Sequence, residues 1–178
     1  MLKAALEHAL TVECVASAVL SLTVVDNATI HVLNRTHLKH DYPTDVISFP
    51  LDWNCEEDSL ETRLLRCEGR AAAAAIEGEI VVSVDYAQEM AARCGWSTQD
   101  ELTLYAIHGM LHICGYDDLT SQEKEIMRSR ERAILNGLGL NAQYPDDGLT
   151  DDDEPPGATS LQASGQIDHS EGTLEDHS

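Results

Sequence analysis

Hydrophobic and polar residues follow two different spacings along this chain, and each spacing predicts a type of secondary structure. Residues 2–15 have apolar side chains three or four positions apart, as on one face of a helix. Residues 19–26 read VLSLTVVD, a run rich in β-branched side chains that is typical of a strand. The first predicted elements are therefore a helix and a strand.

The same two spacings predict the elements that follow. A short helix over residues 28–38 follows a turn or cap at Asp26-Asn27, and Pro43 marks a turn at residues 41–44. Two further strands are predicted over residues 46–51 and 78–84, and two further helices over residues 85–94 and 121–138. Another helix starts at Ser97 or Thr98, where Glu101 completes a capping box, and ends near Cys114. Strands and helices therefore alternate along the chain.

Two segments lack these patterns. Residues 52–77 contain CEED, LETRLLRC and five alanines, and they predict an inserted surface excursion that is mobile or partly helical. Residues 146–178 contain ten acidic residues, no Lys or Arg and almost no apolar residues, so they predict a disordered acidic tail. The expected organisation is one domain over residues 1–145 and a tail over residues 146–178.

The chain is acidic throughout. Its net charge is −21, and the first 145 residues still carry 22 acidic against 11 basic residues. Loose nucleic-acid binding depends on basic residues that release counterions from phosphates. A polyanionic substrate would therefore need a local basic patch or a bound metal ion.

The cysteines and the apolar runs indicate a cytoplasmic protein. Five cysteines, an odd number without CxxC spacing, predict reduced thiols rather than a disulfide framework. No secretory signal is recognisable, and no run approaches the roughly 20 apolar residues of a membrane span. We therefore expect a cytoplasmic location and no membrane partner.

The stretch IHGMLHICGYDD, residues 107–118, combines residue types that bind metal ions. His108 and His112 are four positions apart, so both imidazoles lie on one face of a helix. Gly115 permits a left-handed helix end, after which Asp118 returns as a third ligand. Two histidines and one carboxylate leave a position open for water, as in catalytic zinc sites, and zinc lowers the pKa of that water from about 15.7 towards 7. The alternative is a pair of polar histidines that face a loop.

Gly109 bears on the type of hydrolysis. Zinc peptidases with a similar helix carry a glutamate beside the first histidine, where it acts as the general base. Gly109 occupies that position here, which counts against peptide hydrolysis. Because glycine within a helix costs about 1 kcal/mol relative to alanine, we interpret Gly109 as space for a bulky substrate next to the metal.

Four blocks of this sequence resemble the YbeY endoribonuclease family. HGMLHICGYDD is similar to the family signature HGxLHLxGYDH. The blocks LN (Leu33-Asn34), PTDVISFP (residues 43–50) and EGEIVVS (residues 77–83) resemble the family's LN, PTDVLSFP and LGDIxIS in the same order. The resemblance covers roughly residues 19–140.

The resemblance implies a fold, a cofactor and an activity. The implied fold is α/β (α+β), a small mixed β-sheet packed by helices, with a metal-binding helix like that of zinc peptidases. The implied site is His108, His112 and Asp118, which bind one Zn²⁺ per chain and act through the bound metal and water. The implied activity is single-strand-specific endoribonuclease cleavage in late ribosomal RNA processing, at the 3′ end of small-subunit RNA, and in ribosome quality control. The implied partners are ribosomal RNA and the ribosome or its small subunit.

Two positions depart from the family pattern. The third histidine of the signature is Asp118 here, which remains a competent ligand but makes the site less selective for zinc. A family arginine before the PTDV block, associated with RNA phosphate, matches Leu38. The candidates for phosphate binding are therefore Arg35, Lys39 and His40, each of which could equally be a solvated surface residue.

Two other functions stay open. One is a non-catalytic, ribosome-associated factor that keeps a metal site for stability, a reading that the net acidity and Leu38 favour. The other is a small zinc hydrolase of another class, such as a peptidase or amidase, against which Gly109 counts.

Overall fold

The computed structural model describes residues 1–54, 69–142 and Tyr144, and these residues contain five α-helices and a three-stranded sheet. In chain order the elements are α1 (Leu2–Val12), β1 (Ser17–Val25), α2 (Asn27–Leu33), a π-helical turn (Asn34–Leu38), β2 (Val46–Asn54), β3 (Ala75–Ser83), α3 (Val84–Cys94), α4 (Thr98–Ile113) and α5 (Ser121–Gly137). Each predicted helix and strand is present, with bounds that differ by a few residues. No helix in this described part has the length and apolar character that crossing a bilayer requires.

The sheet is mixed, with the strand order β1–β3–β2. β3 is parallel to β1 and antiparallel to β2. Successive side chains of a strand point to opposite faces, and Ile80, Val81 and Val82 are all buried, so both faces of β3 are covered. The small mixed sheet packed by helices, which the resemblance implied, is confirmed.

α4 packs across one face of the sheet and is buried along most of its length. A Cβ atom on Gly109 would lie 2.9 Å from Cγ2 of Ile80 and 3.0 Å from Cγ2 of Val46. Glycine therefore allows the helix backbone to approach the sheet closely. The interpretation of Gly109 as space for a substrate is wrong, because the sheet fills that space.

α2 and the π-helical turn cover the opposite face. Ile30, Ile47 and Val81 form a small second core there, and Leu38 packs against it. α2 starts at the predicted cap, since the Asp26 carboxylate accepts a hydrogen bond from an amide of the first turn. Leu38, which matches the family's arginine position, thus contributes to packing.

The excursion predicted over residues 52–77 is ordered at both ends. Residues 52–54 continue β2 beyond a bulge, and residues 75–77 pair within β3. Ala71 and Ala74 are fully buried, because small side chains fit where the chain runs close to its neighbours. Residues 55–68 and the predicted acidic tail over residues 146–178 lie outside the described residues, so the predictions for them stay predictions.

Cys14 corrects the prediction that all thiols are reduced. Cys14 is disulfide-bonded, whereas Cys94 and Cys114 are free. Spacing along the chain gave no signal for this bond.

Candidate metal centre

α4 carries both histidines, and a capping box fixes where it starts. The Ser97 side chain accepts a hydrogen bond from the Asp100 amide, and the Asp100 carboxylate accepts one from the Ser97 amide. The sequence had indicated Thr98 and Glu101 for this box, one residue further along. Glu101 is instead buried, with 2 % of its surface exposed.

His108, His112 and Asp118 come together at the end of α4. The two Nε2 atoms are 3.0 Å apart, and the Asp118 carboxylate oxygens lie 3.8 Å from Nε2 of His108 and 3.9 Å from Nε2 of His112. One donor atom from each residue lies within 4.8 Å of the other two. Asp117 stabilises the turn, since its carboxylate accepts a hydrogen bond from the Asp118 amide at 2.8 Å. The three residues singled out in the sequence therefore form one cluster.

Both histidines are oriented through their other ring nitrogen. His108 Nδ1 donates to Glu131 Oε1 at 2.6 Å, and His112 Nδ1 donates to the Tyr116 carbonyl oxygen at 3.0 Å. Engaging Nδ1 in this way leaves Nε2 as the nitrogen that can bind a metal ion. Both Nε2 atoms consequently face the same point.

Glu131 was missed by sequence reasoning. It is buried, with 2 % of its surface exposed, and it also accepts a hydrogen bond from the Tyr144 hydroxyl at 2.5 Å. A signal was present, because Glu131 lies four positions after Met127 and three before Ile134, on the buried face of α5. A carboxylate at an apolar position of a helix usually has a buried partner.

The pKa values of the two histidines shift in opposite directions. Burial lowers the pKa of His108, but the hydrogen bond to Glu131 and the charges of Glu131 and Asp118 more than offset burial and raise it. Burial and the positive charge of His108 lower the pKa of His112. The metal-free pair therefore shares one proton at neutral pH, and a metal ion has to displace it.

Contacts from three distant elements hold the loop after α4. Gly115 has a φ of +83°, which turns the chain back toward the histidines. The Tyr116 hydroxyl donates to Glu13 Oε2 at 2.8 Å, and Arg130 donates to Glu13 Oε1 from Nε and Nη2, at 2.9 and 2.6 Å. Arg70 Nη1 donates to the Gly115 carbonyl at 2.8 Å. These bonds fix the loop that supplies the third donor.

The predicted phosphate-binding residues lie at the π-helical turn. Arg35 Nη1 is 3.8 Å from Asp41 Oδ1, and both side chains are exposed. Lys39 Nζ donates to a carbonyl of the same turn at 2.9 Å, and His40 stacks on Tyr42 with ring centroids 5.4 Å apart. Because this turn packs on the face of the sheet opposite α4, the structure does not bring these residues together with the histidines. Their role as phosphate ligands stays a prediction.

The donor set fits a divalent metal ion. Ligands about 2.0–2.1 Å from a tetrahedral ion lie roughly 3.3 Å from one another. The two Nε2 atoms are 3.0 Å apart, Asp118 Oδ2 is 3.8 Å from His108 and Asp118 Oδ1 is 3.9 Å from His112, so the donors are near the spacing that one ion requires. The fold and the site together define a small α/β protein with a two-histidine, one-carboxylate set of the type used in metal-dependent hydrolysis.

Comparison with known proteins narrows this class to one family. The family model described as "Endoribonuclease YbeY" matches residues 1–139. The chain belongs to the YbeY endoribonuclease family, whose members are hydrolases that act on RNA.

Curated relatives agree with this assignment. An endoribonuclease YbeY of Desulfitobacterium hafniense is 42 % identical over 123 residues, which is 69 % of this chain and 73 % of the relative. Those of Bacillus subtilis and Geobacillus sp. are each 37 % identical, over 69 % and 76 % of this chain and 74 % and 83 % of the relatives. A solution structure of a Thermotoga maritima protein superposes with a TM-score of 0.47 and 26 % identity, covering 78 % of this chain and 81 % of that one.

Proposed function

We propose that this protein is a zinc-dependent endoribonuclease that cleaves single-stranded RNA, with His108, His112 and Asp118 as the metal ligands. The observation that carries the proposal is the convergence of the two Nε2 atoms and the Asp118 carboxylate within 4.8 Å in a chain of the YbeY family. Zn²⁺, one per chain, is the ion we propose, since two imidazoles and one carboxylate form a donor set of catalytic zinc sites. Bound there, it would supply a Lewis acid for phosphodiester hydrolysis.

The protein residues have distinct parts in this proposal. The histidines and Asp118 bind the ion, and Glu131 holds the imidazole of His108 in the orientation that presents Nε2. The Tyr116 carbonyl does the same for His112. The chain itself therefore determines the geometry of the site.

Local basic side chains provide what an acidic protein needs to hold RNA. Lys124, Arg128 and Arg132 are spaced by four residues and so lie along one side of α5. The guanidinium groups of Arg128 and Arg132 lie 4.6 and 4.9 Å from the centre of the Tyr144 ring, whose hydroxyl binds Glu131. Arg128 and Arg132 are thus linked to the candidate metal centre through Tyr144 and Glu131, and they are candidates to bind phosphate.

Arg35, Lys39 and His40 are proposed as further phosphate ligands. They lie together on one exposed turn, but on the other side of the sheet. They would hold RNA at a distance from the cleavage site. Substitution of all three with alanine should weaken RNA binding at low salt and leave zinc content unchanged.

The proposed role in the cell follows from family membership. We expect the substrate to be ribosomal RNA, cleaved in late processing at the 3′ end of small-subunit RNA, and a further role in ribosome quality control. The expected partner is the ribosome or its small subunit, in the cytoplasm. Co-sedimentation with small subunits, measured with wild type and the His112→Ala variant, tests this part separately from catalysis.

A cleavage assay tests the central proposal. Zinc-loaded protein is incubated with matched single-stranded and duplex RNA, with and without a chelator, and zinc is then added back. We expect internal cleavage of the single strand that the chelator abolishes and zinc restores. His112→Ala should lose both activity and bound zinc, whereas His31→Ala, on α2, should keep both.

Each alternative function has its own outcome in this assay. Absence of cleavage by zinc-loaded wild type would overturn the proposal, and ribosome binding without cleavage would indicate a non-catalytic factor. Cleavage that survives His112→Ala would identify a contaminating nuclease. A peptidase is disfavoured by the packing at Gly109, where the sheet leaves no room for a glutamate.

A further inference from the structure

Trp53 is an exposed aromatic residue at the end of β2. Its exposed fraction is 42 %, although burying an indole is strongly favourable in water. Tryptophan is rare here, with two in 178 residues. The exposed ring of Trp53 is therefore available to stack on a ligand.

The register of the sheet places Trp53 on the side of α4. Trp53 pairs with Ile76, which belongs to the core, and two positions further along β3 a Cβ atom on Gly78 would meet Ile113 of α4. Residues two apart on a strand share a face. Trp53 therefore lies beyond the C-terminal end of α4, where the candidate metal centre is.

The indole rests on the loop that completes the centre. Its Cη2 and Cζ3 atoms lie 3.2 Å from the position that a Cβ atom would take on Gly115. Gly115 follows His112 by three residues and precedes Asp118 by three, so the ring contacts the loop that joins these two residues. A side chain on Gly115 would displace the indole from this place.

A cation lies on the same loop. Arg70 is exposed, its Nη1 donates to the Gly115 carbonyl at 2.8 Å, and its guanidinium carbon lies 4.8 Å from the centre of the Tyr116 ring. Trp53 and Arg70 both contact Gly115, which lies in the loop between His112 and Asp118, and we call the surface formed by these three residues the Trp53 shelf. It combines an aromatic plane with a positive charge.

We infer that the Trp53 shelf is a base-stacking subsite for single-stranded RNA, with the indole stacked on an unpaired base near the scissile phosphate and Arg70 beside the RNA backbone. This inference rests on the proposed nuclease function. An unpaired base has a free face, whereas bases inside a duplex already stack on both sides. The shelf would consequently contribute to the preference for single strands and be tolerant of sequence.

Tryptophan fluorescence tests the inference directly. The other tryptophan, Trp96, precedes α4, whose 16 residues place it about 24 Å from the shelf. A Trp96→Phe variant therefore reports on Trp53 alone. Zinc-loaded protein is mixed in a stopped-flow instrument with a ten-nucleotide oligouridylate, an abasic strand of equal length and a duplex.

Stacking predicts a specific pattern. The oligouridylate should quench Trp53 emission before cleavage, while the abasic strand and the duplex should not. Trp53→Ala should weaken oligouridylate binding about tenfold or more, within the range measured for loss of one stacked base. Trp53→Phe, which keeps a ring, should stay within threefold of wild type. Leu51→Ala, an exposed apolar residue of the same strand, is the matched control and should bind normally.

Zinc content of each variant separates stacking from support of the loop. If Trp53→Ala loses zinc, the Trp53→Phe variant and the quenching data decide between the two roles. Unchanged Trp53 emission at saturating RNA, or equal affinity for the abasic strand, would overturn the stacking inference. Cleavage by wild type in the same experiment would leave the proposed nuclease function intact. Absence of both binding and cleavage by wild type would remove both.

Discussion

Glu131 determines which nitrogen of His108 is available to a metal ion. Its carboxylate is buried, accepts from His108 Nδ1 and is itself held by Tyr144. His108, His112 and Asp118 could be predicted from the sequence, because their spacing brings them together on one helix and its following loop. Glu131 could not be assigned, because it reaches His108 from a different helix and local spacing carries no information about that contact.

Replacing Glu131 with glutamine should weaken zinc binding. The neutral amide no longer supports His108 as a ligand, and such substitutions typically cost about 10- to 100-fold in metal affinity. The measurement is a zinc titration against a competing chelator. Glu125→Gln, at an exposed position of the same helix, is the control and should bind like wild type. Equal affinities for the two variants would contradict this role for Glu131.

Asp118 offers a second test at this scale. Changing Asp118 to histidine exchanges a hard oxygen donor for an imidazole, so the preference for zinc over manganese should rise. Elemental analysis after equilibration with both ions measures the preference. Glu125→His, at an exposed position of α5, should leave it unchanged. Unaltered metal content in the Asp118→His variant would argue against Asp118 as a ligand.

Helices and strands could be predicted where the periodicity of apolar residues was strong. They were less predictable where tertiary packing determined their bounds. α5 agrees with its predicted range because its buried residues repeat at helical spacing, and α4 agrees because Ser97 caps its start. The end of β2 and the start of β3 were predicted too short, since residues 52–54 are strand through pairing with residues 75–77, which also pair with residues 17–19 of β1. Gly109 was misread, because the sequence does not reveal what lies opposite a helix position.

The sign of the stability change in the Gly109→Ala variant distinguishes packing from helix propensity. Propensity alone predicts stabilisation by about 1 kcal/mol. The contacts with Ile80 and Val46 predict the opposite, a loss of about 1–3 kcal/mol in the free energy of unfolding, because the core has to shift. Urea unfolding of the zinc-free protein measures the change. Ser129→Ala, on the exposed side of α5, should change stability by less than about 0.5 kcal/mol.

One buried carboxyl, that of Glu101, makes the stability of the whole molecule depend on pH. Burial raises the pKa of Glu101 to about 7, and the charges of Asp45 and Asp100 add to the rise. The folded protein therefore holds a proton that the unfolded chain releases above its ordinary pKa of 4.5. The contribution of Glu101 to stability should therefore fall as pH rises from 4.5 towards 7 and then level off.

Glu101→Gln should remove this part of the pH dependence. The variant keeps the shape of the protonated acid, so its unfolding free energy should equal that of wild type near pH 4.5 and exceed it by about 3 kcal/mol at pH 8. Urea unfolding at both values, in the presence of chelator, provides the comparison. Glu123→Gln, at the start of α5, should follow the wild-type curve. Parallel curves for wild type and Glu101→Gln would show that Glu101 stays charged in the fold.

Two neighbouring residues of α5 reach back to much earlier parts of the chain. Arg130 binds Glu13, which is 117 positions earlier, and Glu131 binds His108, which is 23 positions earlier. During translation the histidines are made before the carboxylate that orients one of them and before the arginine that supports the loop. A nascent chain therefore lacks the contacts that orient His108 and support the loop after α4 until α5 has been made and has docked.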